Sequence, residues 1–126
     1  VCIDGPEARL AVTDKMSPIE DIVCNALPAR VDCPRFVITT GKHGCVTHER
    51  GDVVHTIPAV TKSIVDTVGA GDAFLSITAP LVASGAPLSE AAFIGNIVGA
   101  LKVAIVGHQR SVEKVDVLKA ITALLK

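Results

Sequence analysis

"DTVGAGDAF", residues 66–74, is the stretch on which the reading of this chain turns. Before it, "SIVDT" (63–67) is β-branched and apolar, the composition of a strand. After it, "AFLSITAPLVASG" (73–85) has the length and composition of a buried helix. Gly69, Ala70 and Gly71 fall at the junction. Backbone N–H groups at a helix start lack intrahelical partners, and the helix dipole adds partial positive charge there. Such a turn binds anions, phosphate above all, and small residues let a phosphate reach the backbone. Asp72 follows in the first turn. A carboxylate repels phosphate, but it suits a general base that takes a proton from an attacking hydroxyl. The same residues also fit a plain helix start, because Asp favours the first turn and glycine favours turns. Spacing alone supports the two readings equally.

The composition around this junction points to an α/β fold. At 126 residues the chain has the size of one domain, and 49% of it is apolar. With three Phe, no Trp and no Tyr, the core is built from Val, Ile, Leu and Ala, as in a parallel sheet buried on both faces. A net charge of −1, with no basic stretch interleaved with aromatics, argues against a nucleic-acid partner. The longest apolar run, 88–107, is interrupted by Glu90, Asn96 and Lys102, so no membrane span is expected. With no signal peptide visible, a cytoplasmic location is expected. Cys2, Cys24, Cys33 and Cys45 form no CxxC pair and read as scattered buried thiols rather than disulfides or zinc ligands. The chain opens on Val, as a piece of a longer protein would.

Periodicity supplies the remaining elements. Residues 6–15 read as a short helix with Pro6 in its first turn. Residues 17–30 read as a second, with Ser17 as N-cap, Pro18 at the first position and Glu20 completing a capping box. Ile19, Ile22, Val23 and Ala26 repeat on its apolar face, and Pro28 ends it. Residues 35–41 predict a buried strand, and 44–59 predict a hairpin turning at "RGD" (50–52). His48 and His55 are expected across that hairpin, on its surface, and Phe74 and Phe93 in the core. Helices are predicted over 70–84, 88–106 and 113–125, the last capped by Ser111. Two or three central strands are few for an open sheet of this kind.

Four stretches in the same order resemble the ribokinase-like carbohydrate kinases, the PfkB family. "DTVGAGDAF" is similar to that family's anion hole and catalytic base, and "VITTGKHGC" (37–45) to its nucleotide-site turn. "DGPEARLA" (4–11) resembles its N-x-x-E element, with Asp4 where the family has Asn. "GNIVGALKVAIVGHQRSV" (95–112) resembles its closing helix and cation loop, with a flavour of the heptose-phosphate kinase subgroup.

The resemblance implies a ribokinase-like three-layer fold with a mostly parallel sheet, flanking helices and a hairpin. Residues 1–126 would be its C-terminal nucleotide-binding portion, without the N-terminal substrate and lid half. The implied activity is ATP-dependent phosphorylation of a sugar or sugar phosphate. Asp72 would be the base, and the amides of Gly69, Ala70 and Gly71 the anion hole. Thr39, Gly41, Lys42, Gly44 and Asn96 would meet the nucleotide, and Glu7 would act on Mg2+ through water. Asp66, Val68, Gly107 and Ser111 would be candidates for a monovalent-cation site, K+ being the candidate ion. The alternative is a non-catalytic nucleotide-binding module or degenerate subunit. The missing half would come in cis or from another chain, and an exposed sheet edge would favour a homo-oligomer.

Overall fold

Strand β1 (Cys2–Asp4) runs straight into helix α1 (Gly5–Val12). Helix α2 (Ile19–Asp21) continues into a π-helical turn at Ile22–Ala26. Strand β2 (Arg35–Thr39), a 3₁₀ turn at Gly41–His43, and strands β3 (Cys45–Glu49) and β4 (His55–Ile57) follow. The chain then forms helices α3 (Ala70–Ala83), α4 (Leu88–Val103) and α5 (Lys114–Leu124). The computed structural model describes residues 1–60, 67–105 and 110–126, so the strand expected over 63–67 lies almost wholly outside the described residues. Two compact units divide the chain, Val1–Pro58 and Ala59–Lys126.

The first unit carries a four-stranded sheet in the order β1-β2-β3-β4. Its fold class is the expected α/β, but the described sheet is mixed. β1 and β2 pair in parallel, with Cys2 opposite Val37 and Asp4 opposite Thr39. β2–β3 and β3–β4 are antiparallel, because the tight 41–44 turn and the hairpin each reverse the chain. Ala8, Ile22, Val23, Leu27, Phe36, Ile38 and Val46 form one buried cluster. Leu27 is 1% exposed, and the reason lies in the π-helical turn. Its N–H donates to the Ile22 carbonyl five residues back, at 2.9 Å. A turn that wide sets Leu27, rather than Ala26, beneath Ile22.

Three local expectations are corrected. Ser17 does not cap α2. Pro18 holds that position, and the Ser17 hydroxyl donates to Asp14 Oδ2 at 2.6 Å. The capping box lies instead on α1, where Asp4 Oδ1 accepts from the Glu7 N–H at 2.7 Å and Glu7 Oε2 accepts from the Asp4 N–H at 2.9 Å. His48 and His55 do not face each other. The register puts His55 opposite Thr47 and His48 opposite Phe36, and His48 Nδ1 is buried with no hydrogen-bond partner. None of the four cysteines forms a disulfide, but Cys45 alone is fully buried.

In the second unit α5 starts from Glu113 rather than Ser111, which is exposed. Gly85, Ala86 and Pro87 separate α3 from α4 as expected, and Phe74 is buried at 3% exposure. No helix among the described residues is long and apolar enough to cross a membrane.

Candidate active site

Two pieces of local geometry carry the candidate chemistry, one in each unit. In the second unit the chain enters α3 through Gly69, which adopts φ 77° and ψ 6°. That left-handed conformation is open to glycine and strained for most other residues, so it fixes the residue type at the turn. The Gly69 carbonyl accepts from the Ala73 N–H at 2.9 Å, the first bond of the helix. The Ala70 N–H turns back towards the Thr67 carbonyl at 3.3 Å. The N–H groups of Gly71 and Asp72 belong to the first turn, whose amides precede the regular hydrogen-bond ladder of a helix. Gly71 and Asp72 are both exposed.

A Cβ placed on Gly71 would meet nothing within 4 Å. The chain's own packing therefore does not require glycine there, whereas an anion seated on the helix start would. Asp72 lies in the first turn of α3, at the end where the helix dipole favours acidic side chains. Val68 is exposed and Ser111 is exposed, while Asp66 and Gly107 lie outside the described residues. Asn96 is half-buried on α4. The end of α4 and the start of α5 border an open pocket of about 380 Å³ whose polar lining is Arg110, Asp116 and Lys119, and Asn96 does not line it.

In the first unit the parallel pairing sets two distant stretches side by side. Asp4 lies opposite Thr39 at the carboxyl ends of β1 and β2, and a Cβ on Gly5 would come within 3.8 Å of the Thr39 carbonyl. The start of α1, with Glu7, thus adjoins the 39–44 turn. Crevices outside the carboxyl ends of parallel strands are the usual ligand sites of α/β sheets. Glu7 is exposed, with Oε2 already accepting from the Asp4 N–H. A carboxylate has lone pairs beyond that one bond, so water-mediated service to a cation fits it. No group of three or more His, Cys, Asp or Glu among the described residues could hold a metal by itself. Magnesium bound through nucleotide phosphates and water needs no such cage.

The 39–44 turn is held by a residue that the sequence did not single out. The Thr40 N–H and hydroxyl both donate to the Gly44 carbonyl, at 2.8 and 3.0 Å. Gly44, buried, takes φ 96° and ψ −126°, a region closed to other residues. Gly41 and Lys42 are left exposed at the tip, and Thr39 is half-buried at its base. The Thr-Thr-Gly run could have flagged Thr40, because Thr hydroxyls commonly close turns on nearby backbone.

Comparisons with known proteins give the family and the fold. Residues 6–115 match the pfkB family of carbohydrate kinases. The bifunctional protein HldE of Methylococcus capsulatus is 32% identical over 83 residues, covering 65% of this chain and 17% of that protein. HldE of Vibrio cholerae is 28% identical over 113 residues, covering 88% of this chain and 24% of that protein. The nucleoside kinase of Burkholderia thailandensis, solved with inosine, is 25% identical with a TM-score of 0.77, over 99% of this chain and 40% of its own. Phosphofructokinase-2 of Escherichia coli, solved with potassium, has a TM-score of 0.86 at 18% identity, over 100% of this chain and 41% of its own. The chain thus spans less than half of each of these relatives, and its fold is ribokinase-like, as the resemblance implied. On the extent of the family match, this chain belongs to the pfkB family of carbohydrate kinases.

Proposed function

We propose that the chain is the nucleotide-binding and catalytic portion of a kinase that moves a phosphoryl group from ATP to a hydroxyl of a sugar or sugar phosphate. The observation that carries this reading is the 69–72 turn: a left-handed Gly69, an unencumbered Gly71 and an exposed Asp72 in one helical turn. Backbone amides of the turn stabilise charge on the moving phosphoryl group, in place before the reaction begins. Asp72 accepts the proton of the acceptor hydroxyl as that oxygen attacks phosphorus. Magnesium, when bound with the nucleotide, neutralises phosphate charge. Glu7 would act on it through water, and Thr39, Gly41, Lys42 and Gly44 would contact the nucleotide. Asn96 would meet the adenine, and Val68, Ser111, Asp66 and Gly107 would supply the oxygens to hold a potassium ion. The tail's resemblance to the heptose-phosphate kinase subgroup, alongside the HldE matches, makes a heptose phosphate the first acceptor to test.

One observation favours a second reading. The chain covers 40% and 41% of the two solved structures described above, so the acceptor pocket would have to come from other residues. Alone, it would then act as a nucleotide-binding module. Titration calorimetry with Mg-ATP and Mg-ADP tests the shared premise. Binding is expected in the wild type, retained in Asp72→Asn and lost in Gly71→Val, whose side chain fills the anion seat. An absence of heat at millimolar nucleotide in the wild type would remove the site from this chain. Product formation from a heptose phosphate, with the acceptor-binding residues supplied, separates kinase from module.

A further inference from the structure

We propose that Gly95 and Gly99 of α4 are positioning residues for the phosphate-binding turn, an inference that rests on the reading of that turn given above. The two glycines stand four residues apart on a sixteen-residue helix, where glycine is the weakest helix former after proline. Something other than helix propensity keeps them there, and the geometry shows what. A Cβ on Gly95 would lie 2.5 Å from Thr78 Cγ2 and 2.7 and 2.8 Å from Phe74 Cε2 and Cδ2. No real Cβ sits so close, and Phe74 and Thr78 have little room to retreat, at 3% and 5% exposure. The Thr78 hydroxyl donates to the Phe74 carbonyl at 3.0 Å, which further fixes the methyl that faces Gly95.

One turn along, a Cβ on Gly99 would lie 3.7 Å from the Ala70 carbonyl oxygen. The contact set on α3 is therefore Ala70, Phe74 and Thr78, an i, i+4, i+8 row, laid against an i, i+4 pair on α4. Ala70 is the first residue of α3, between Gly69 and Gly71. Its backbone rests on α4 with space for about one methyl group, while the Cβ position of Gly71 points into the open. The seam thus supports the back of the turn whose front is Gly71 and Asp72. Crowding at residue 99 moves the amides that would meet phosphate, without touching any ligand.

The test compares Gly99→Val, Gly99→Ala and Ile97→Ala. Alanine at 99 makes an ordinary contact with the Ala70 carbonyl, whereas valine adds methyls that press on it. Ile97 is 1% exposed on the same helix, so its truncation destabilises α4 without crowding α3. Amide chemical shifts, melting temperature and Mg-ATP affinity are measured for the whole chain. The expected result is a graded displacement of the Gly71 and Asp72 amide resonances, small in Gly99→Ala and large in Gly99→Val, and none in Ile97→Ala. Mg-ATP affinity is expected to fall roughly tenfold in Gly99→Val and to hold in Ile97→Ala, even where the two melt alike. Should Gly99→Val not fold, the Gly99→Ala shifts decide. Unmoved 71–72 amides in a variant at 99 overturn the proposal, whatever its melting temperature. Displaced amides in the variants at 99, together with a wild type that binds no nucleotide, would leave the seam standing and overturn the phosphoryl-transfer reading instead.

Discussion

At residue 4 the chain has Asp where its family has Asn, and the structure gives the exchange a physical meaning. Asp4 caps α1 through Oδ1, a bond that an Asn side-chain oxygen makes equally well. Asp4→Asn is therefore expected to leave the melting temperature nearly unchanged, whereas Asp4→Ala loses about 1 kcal/mol, measurable by urea unfolding. Asp14 offers a test by pH. It accepts from the N–H groups of Met16 and Ser17 and from the Ser17 hydroxyl. Those bonds, the hydroxyl's first, lower its pKa from an ordinary 3.8 to about 2. A lowered carboxylate pKa contributes stability above the unfolded value, and the contribution is lost as pH falls through the folded one. Denaturant midpoints should therefore drop between pH 4 and about 2, and Asp14→Asn should flatten that part of the curve. Asp14 also shows why Ser17 was misread: a carboxylate three residues upstream competes for the hydroxyl that would otherwise cap α2.

Helices were the most legible elements. The predicted 70–84, 88–106 and 113–125 correspond to α3, α4 and α5, because long apolar repeats and Gly-Pro punctuation fix both type and extent. The π-helical turn at Ile22–Ala26 was not legible, since a search at period 3.6 places Ala26 where the chain places Leu27. Nor was the seam between α3 and α4. Gly95 and Gly99 are visible in "GNIVG", but what they face depends on a partner helix that sequence spacing does not name. The seam's tightness yields a sharp expectation. Gly95→Ala raises helix propensity, yet it drives a methyl into Phe74 and Thr78, so it should destabilise the chain by about 1–3 kcal/mol. A higher melting temperature in that variant would show that the helices slide apart at little cost.

At the scale of the whole molecule, the motif residues in each unit were readable in the sequence, but their local support was not. The 69–72 turn was readable because a run of small residues followed by Asp is conspicuous between two apolar stretches. The juxtaposition of Asp4–Glu7 with the 39–44 turn was not, because it depends on parallel register between strands far apart in sequence. β1 is a three-residue strand at one end of the described sheet. An end strand presents backbone donors and acceptors to any chain able to pair with it. We expect the sedimentation coefficient of the chain to rise with concentration, and a concentration-independent monomer with a sharp melt would contradict that.

The way β1 is held also bears on the order in which the chain folds. Val1, the residue before it, reaches β2 across 34 positions, from its amine to the Arg35 carbonyl, whereas the Arg35–Glu49 pair joining β2 to β3 spans 14. Closing the longer loop costs more chain entropy before any contact repays it. The α3–α4 pair, separated by a few turn residues, meets no such delay. We therefore expect the pairing of Asp4 with Thr39 to form late in folding, after the helix start that carries Asp72.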